Sequence, residues 1–285
     1  MTIAEWRQLA TTGLLARNVD SIAARIDAEA LLAHVLNRSR TWLFAHADEP
    51  LDASARTQLD ALMERRNEGE PLAYLVGYRE FRSHQYRVTS AVLVPRDDTE
   101  TLVDAALQAA HEVLERGSQC RILEAGTGSG IVAISMAMEL NDTRVTITAS
   151  DIDKEALQIA QENATTRGAD IDFLQGDWLS AIAEQCMEIV VSNPPYIACD
   201  DIHLTELQRE PQHALVSGTD GFDAIRRLIA DSKRVLSGNG TLLMEHGYEQ
   251  GPDVARLLRA AGYEMIEHHR DLAGHVRVTT GRLRR

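Results

Sequence analysis

Lysine is nearly missing from this chain of 285 residues, occurring at positions 154 and 233 and nowhere else. Basic residues of both kinds number 29 against 43 Asp and Glu, for a formal net charge of -14. The imbalance is uneven, with ten basic and twelve acidic residues up to position 82 and nineteen and thirty-one after it. An acidic body repels a phosphate backbone, which counts against nucleic acid as the main partner. Cysteine is almost as scarce. Cys120, Cys186 and Cys199 form no Cys-x-x-Cys pair and no Cys/His spacing of a zinc site, so no metal is expected. Three cysteines make no disulfide framework, and a reducing cytoplasm is the expected location. No apolar run reaches the ~18 residues of a membrane span. The start, "MTIAEWRQLA", is polar and amphipathic and lacks the apolar core of a signal peptide. There is no internal repeat and no low-complexity segment.

Three regions are expected: a helical bundle over 1–70, a hairpin-bearing linker over 71–95, and an α/β domain over 96–285. In the first, "DAEALLAHVL" places Ala30, Leu31, His34 and Val35 on one stripe, and "SARTQLDALMERR" does the same for Leu59, Leu62 and Met63. In the second, "PLAYLVG" and "HQYRVTSAVLVP" are rich in Val, Leu and Tyr and predict a strand pair. A helix over 99–116 follows. From Cys120 onward, strands and helices alternate. "CRILEAG", "RVTITASD", "IDFLQGD", "MEIVVSN", "GTLLMEHG", "YEMIEHH" and "HVRVTTG" predict seven strands. "FDAIRRLIADSKRVL" sets Phe222, Ile225, Leu228, Ile229 and Leu236 on its apolar side. This pattern predicts a doubly wound, mostly parallel, Rossmann-like sheet with helices on both faces and a late antiparallel strand allowed at its edge.

The turn after the first of these strands reads "EAGTGSG", with Gly126, Thr127, Gly128, Ser129 and Gly130 leading into a helix near Ile131. Glycines there let backbone approach a ligand closely. The dinucleotide fingerprint needs Gly-x-Gly-x-x-Gly, and the spacing here is Gly-x-Gly-x-Gly, so the loop suits a ligand with an amino-acid end and an adenosine end better than a pyrophosphate. A bare tight turn is the plainer alternative. Asp151 ends the second strand, where a carboxylate can take both hydrogen bonds of a ribose diol; Asp153 in the same stretch reads as a helix N-cap. Asp177 and Trp178 follow the third strand, placed to accept from an adenine amino group and to lie against its ring. Alone, they would read as a loop acid and a core aromatic. In this order the series points to S-adenosylmethionine.

The stretch "VVSNPPYIA", Val190 to Ala198, ends the fourth strand. A planar amide or aromatic amine is a poor nucleophile because its lone pair is delocalised. Acceptors holding both N–H groups favour the pyramidal nitrogen that attack requires. The Asn193 side-chain oxygen and the Pro194 carbonyl are two such acceptors. Pro194 and Pro195 fix the backbone in advance, and preorganised dipoles are a main source of catalysis. Tyr196 offers a ring face for stacking. Glu245 and His246 end a later strand near this site, and the sequence alone gives them no role.

Taken together, these motifs resemble the class I S-adenosylmethionine-dependent methyltransferases. The chain is most similar to the PrmC/HemK family of peptide chain release factor N5-glutamine methyltransferases. The resemblance runs through "RRNEGEPLAYLVGYREF", "VPRDDTE", "EAGTGSG", "GDWL", "SNPPYI", "EPQHALVSGTDG" and "LLMEHG". It implies methylation of the glutamine side-chain amide in the Gly-Gly-Gln motif of class I release factors, leaving S-adenosyl-L-homocysteine. It also implies that residues 126–130 hold the methionine part of the cofactor, that Asp151 holds its ribose, and that Trp178 flanks its adenine. Asn193 to Tyr196 would then hold the glutamine amide, and the helical region would recognise the release factor. Three positions depart from the family pattern: Glu124 where Asp is usual, Asp97 where Pro is usual, and Arg82 where Trp is common.

Asn-Pro-Pro-Tyr is shared with adenine methyltransferases of DNA and RNA, which reach their base by flipping. The acidic body and the missing Lys/Arg-rich region weigh against that reading. A glutamine methyltransferase of a ribosomal protein is a second alternative, disfavoured by the "PRDDTE" wording. A non-catalytic cofactor-binding protein is a third, at odds with the intact motif. A monomer is expected.

Overall fold

A computed structural model of the chain describes residues 1–17 and 19–284. These residues form two compact units, Met1–Tyr78 and Arg79–Arg285.

The first unit is helical: α1 (Ile3–Leu15), α2 (Ser21–Leu36), α3 (Arg40–Ala45), α4 (Ala53–Asn67) and α5 (Leu72–Val76). Each of the first four starts at a short polar residue whose side chain accepts from the free N–H groups of the first turn: Thr2, Asp20, Ser39 and Asp52. Thr2 and Glu5 form a complete capping box. Ile3, Trp6, Leu31, Leu32, Leu43 and Leu59 make the core. The buried face of α2 runs through Ala24, Ala28, Leu31 and Leu32, so His34, expected on the apolar stripe, is exposed instead. A face rotated toward Asp27 has a cause: that buried carboxylate pairs with the Arg66 guanidinium at 2.7 Å.

The segment "PLAYLVG", expected as a strand, is the short helix α5. An apolar run of five residues carries no usable period, and Gly77, in the left-handed region at φ 82°, ends it. The hairpin is shorter than expected and lies later, β1 (Tyr78–Phe81) against β2 (His84–Arg87). Its two turn residues, Arg82 and Ser83, both take positive φ, as a two-residue primed turn requires. Beyond Arg87 the chain is not a strand. The Arg87 N–H donates to Asn163 Oδ1 at 2.7 Å and its carbonyl accepts from Asn163 Nδ2 at 3.0 Å, so a side chain takes the place of a ladder.

The second unit continues with a 3-10 turn (Asp97–Thr99), α6 (Glu100–Glu115), β3 (Cys120–Ala125), α7 (Ile131–Glu139), β4 (Val145–Asp151), α8 (Lys154–Arg167), β5 (Asp172–Gln175), β6 (Met187–Ser192), α9 (Asp223–Val235), β7 (Leu236–Glu245), α10 (Gly251–Ala260), β8 (Tyr263–Arg270) and β9 (Val276–Leu283). Seven strands lie in the order β5-β4-β3-β6-β7-β9-β8. All pairings are parallel except those of β9, which is antiparallel to both β7 and β8. The short turn after β8 forces that reversal, and it sets β9 inside the edge strand β8.

Consecutive strand residues face opposite layers. Ile122 packs with Leu102, Val103 and Ile134 on one face, and Leu123 with Ile225, Leu228 and Leu258 on the other. Of the stripe expected on α9 and just beyond, Ile225, Leu228, Ile229 and Leu236 are buried, and Phe222 is partly buried. Chain order runs outward in both directions from the β3–β6 pair, so a crevice opens at the carboxyl ends of these strands.

Candidate active site

Four strand ends meet at that crevice. Ser150 Oγ donates to the Glu124 carbonyl at 3.2 Å and Ser192 Oγ to the Ala125 carbonyl at 2.7 Å, tying the ends of β4, β3 and β6 together. The N–H groups of Gly126 and Thr127 both donate to the Ser150 carbonyl at 2.9 Å. This double contact turns the chain sharply into the glycine loop. Gly130 cannot be replaced without a shift: its φ is +83°, and a Cβ would lie 2.9 Å from Ile134 Cδ1 and 3.1 Å from Ala160 Cβ.

The loop borders a cleft of about 310 Å³. Gly126, Thr127, Gly128, Ser129, Asp151, Asp177, Trp178, Asn193 and Pro195 all line it, brought from four separate loops. Gly130, Pro194 and Tyr196 are not among its lining residues. Pro194 is buried, and Tyr196 packs against the β6–β7–α10 side of the core.

Asp151 serves the loop directly. Its Oδ2 accepts from Gly128 N–H at 2.9 Å and its Oδ1 from Asp153 N–H at 3.0 Å. Asp153 caps α8, as expected. Asp177 Oδ2 accepts from Arg227 at 3.2 Å. Trp178 holds a left-handed backbone at φ 50°, which aims its ring at the loop. A Cβ on Gly126 would sit 3.4 Å from the Trp178 ring.

Glu124 also borders the cleft and is 2% exposed. Burial pushes its carboxyl up to about 8, against the opposing bonds from Thr127 Oγ1 at 2.6 Å and Ala133 N–H at 3.0 Å. Asn193 Nδ2 donates to Thr99 Oγ1 at 3.3 Å. His246 is fully buried, with Nδ1 against the Gly247 carbonyl at 2.8 Å and Nε2 against Thr279 Oγ1 at 2.7 Å. Burial lowers it to about 4, so this imidazole is a neutral bridge within the fold.

Family models match both parts of the chain, PrmC N-terminal domain over residues 5–77 and Methyltransferase small domain over residues 99–217. The release factor glutamine methyltransferase of Xylella fastidiosa strain 9a5c is 45% identical over 261 residues, covering 90% of this chain and 93% of that protein. The Escherichia coli K12 protein of the same name is 43% identical over 265 residues, covering 92% and 93%. The chain belongs to the release factor glutamine methyltransferase family. Among solved structures, the 16S rRNA N2 G1207 methyltransferase RsmC of T. thermophilus aligns with a TM-score of 0.51 at 15% identity, over 73% of this chain and 50% of that one, a likeness of fold alone.

The glycine loop and the Asn-Pro-Pro-Tyr segment are both legible in the sequence. Other groups at the cleft are not. Residues 91–96 form one wall, held by Glu210: its Oε2 accepts from Val94 N–H at 3.0 Å and its Oε1 from Arg96 at 2.5 Å. The only sequence hint is that "VPRDDTE" and "EPQHALVSGTDG" both belong to the resemblance. Thr99 and His213 also reach the cleft unannounced. Among the described residues no cluster of three or more His, Cys, Asp or Glu could hold a metal ion, and no helix is long and apolar enough to cross a membrane.

Proposed function

We propose that this chain transfers a methyl group from S-adenosyl-L-methionine to the side-chain amide nitrogen of the glutamine in the Gly-Gly-Gln motif of class I peptide chain release factors. The observation that carries the reading is the convergence of residues 126–129, Asp151, Asp177, Trp178, Asn193 and Pro195 on one cleft at the carboxyl ends of β3 to β6. The donor set fits the cofactor: close-approach backbone for an amino-acid end, a carboxylate for a ribose diol, and an indole for an adenine face. Glu124, one methylene longer than the family's usual Asp, borders the same cleft and is available to its amino group.

When bound, the cofactor supplies an electrophilic methyl on a sulfonium sulfur and leaves as S-adenosyl-L-homocysteine. The glycine loop, Gly126 to Gly130, would hold its methionine part, Asp151 its ribose, Asp177 its adenine amino group, and Trp178 the face of its adenine ring. Asn193 Oδ1 and the Pro194 carbonyl accept the two N–H bonds of the substrate amide and favour the pyramidal nitrogen. Pro194 and Pro195 hold these acceptors rigid, so little reorganisation is needed at the moment of attack. Tyr196, next along the chain, packs on the core behind this segment rather than lining the cleft, so the expected stacking of its ring on the amide is not part of this reading. Transfer would join the methyl carbon to the amide nitrogen, leave the electron pair of the broken bond on sulfur, and release one proton from that nitrogen to water. The helical first unit recognises the release factor.

The test is methyl transfer from labelled cofactor to three substrates in parallel: a release factor, the same factor with its Gly-Gly-Gln glutamine changed to alanine, and unmethylated DNA. Label on the intact factor alone is the expected outcome. Label on DNA would overturn the reading in favour of adenine methylation.

A further inference from the structure

Asn193 has a hidden partner. Glu245 ends β7, which lies beside β6 with Ser192 opposite Met244. Its carboxylate therefore arrives next to Asn193. Glu245 is 1% exposed, and its Oε2 has no hydrogen-bond partner among the described residues. Thr99 and Asn193 are its hydrogen-bonding neighbours. A carboxylate buried this deeply is costly unless it is paired. The cation that acts on it, Arg277, is already shared between Asp98 at 2.8 Å and Asp271 at 3.0 Å.

The consequence concerns direction. A side-chain amide can present either its oxygen or its NH₂ to a cleft, and its surroundings decide which. An ionised carboxylate only accepts hydrogen bonds. Thr99, 1% exposed, must then turn its hydroxyl proton toward Glu245 and offer its lone pair to Asn193. Asn193 Nδ2 donates to that oxygen at 3.3 Å. With the NH₂ end drawn inward, the amide oxygen is left for the cleft. We infer that Glu245 is a positioning residue which, acting directly and through Thr99, fixes Asn193 with its side-chain oxygen toward the substrate amide. The inference rests on the reading of Asn193 as the acceptor for that amide.

Protonation undoes the arrangement. A neutral Glu245 becomes a donor, Thr99 is free to reverse, and Asn193 loses the reason to keep its oxygen outward. Burial raises the Glu245 carboxyl to about 7, so this reversal falls in the working range of an enzyme. The groups around it are Thr99, Asn193 and Tyr196, with Asp98 raising it further and Arg277 opposing. Tyr196 is pushed upward by burial and stays neutral, and the adjacent His246 is neutral as well.

Two measurements test the inference, and the first needs no turnover. The Asn193 side-chain amide signals of ¹⁵N-labelled protein, assigned by their loss in Asn193→Asp, are followed from pH 5 to pH 9. The expected result is a titration in the wild-type chain that is absent from Glu245→Gln, which keeps an acceptor oxygen but no charge. Signals that do not move with pH, or that move equally in Glu245→Gln, would overturn the inference whatever the substrate proves to be. The second measurement is the pH profile of kcat on the release factor. Wild-type kcat is expected to rise through a limb near neutrality, and Glu245→Gln to lose that limb. Glu245→Leu and Thr99→Val should each lower kcat about 100-fold, with cofactor affinity kept and the double variant no worse than either single one. Wild-type kcat in Glu245→Leu would overturn the positioning role. A wild-type chain that binds cofactor and shows the amide titration but leaves the factor unmethylated would refute the proposed substrate and leave the Glu245 assignment standing.

Discussion

Arg96 and Glu210 meet at 2.5 Å across 114 residues of sequence, with the Glu210 carboxylate 6% exposed. That carboxylate also accepts from Val94 N–H, so one side chain fixes the wall of the cleft formed by residues 91–96. Glu210→Ala removes both bonds and leaves a buried N–H unsatisfied. A loss of about 1–3 kcal/mol in urea unfolding is expected, along with weaker cofactor binding. Glu210→Gln keeps an acceptor for Val94 and should fall between the two.

Asn193→Ala removes an acceptor at the reacting nitrogen and also the bond to the buried Thr99 hydroxyl. The expected effect is a fall in kcat of about 100-fold or more. Cofactor affinity by calorimetry should match wild type, and the unfolding free energy should fall by no more than the roughly 1–3 kcal/mol of one lost buried hydrogen bond. Near wild-type kcat would remove Asn193 from its assigned role.

Asp151 accepts from Gly128 and from Asp153. Its replacement therefore acts on the shape of the loop as well as on any ribose contact. Asp151→Ala is expected to raise the cofactor Kd about 10- to 100-fold, in keeping with one to two lost charge-assisted bonds. kcat at saturating cofactor should change less. Unchanged calorimetric affinity would contradict the assignment.

Glu124 makes stability fall as pH rises. Its folded-state value of about 8 lies above the ordinary 4.5, so between these values the unfolded chain gives up the proton and the folded chain keeps it. The unfolded state then binds fewer protons, and the unfolding free energy declines across that window before levelling off above it. Glu124→Gln, which can still accept from Thr127 and Ala133, should flatten this slope and raise the urea midpoint at pH 8 relative to pH 5. An identical pH slope in the variant would show that Glu124 is ionised throughout.

The glycine loop, Asp151 and the Asn193 segment were legible because each is a short local pattern at the end of a strand with a clear period. The seven strands were legible for the same reason. The short helix at Leu72–Val76 was not, since five apolar residues look alike in helix and strand. Nor was the path of the chain from Arg87 to Arg96, whose backbone is held by side chains from afar, Asn163 at Arg87 and Glu210 at Val94. Glu245 shows the limit most clearly. Its meaning depends on β7 lying beside β6, and on Thr99 arriving from a segment 146 residues earlier in the sequence. Nothing near Glu245 in the sequence signals that neighbour.

The most direct test of the central claim is tandem mass spectrometry of the Gly-Gly-Gln peptide from a release factor incubated with this protein and S-adenosylmethionine. The account predicts one added methyl group, located on the glutamine side-chain amide, absent when Asn193→Ala replaces the wild-type chain. A methyl group on any other atom of the factor, or none on that peptide while the protein binds cofactor, would contradict it.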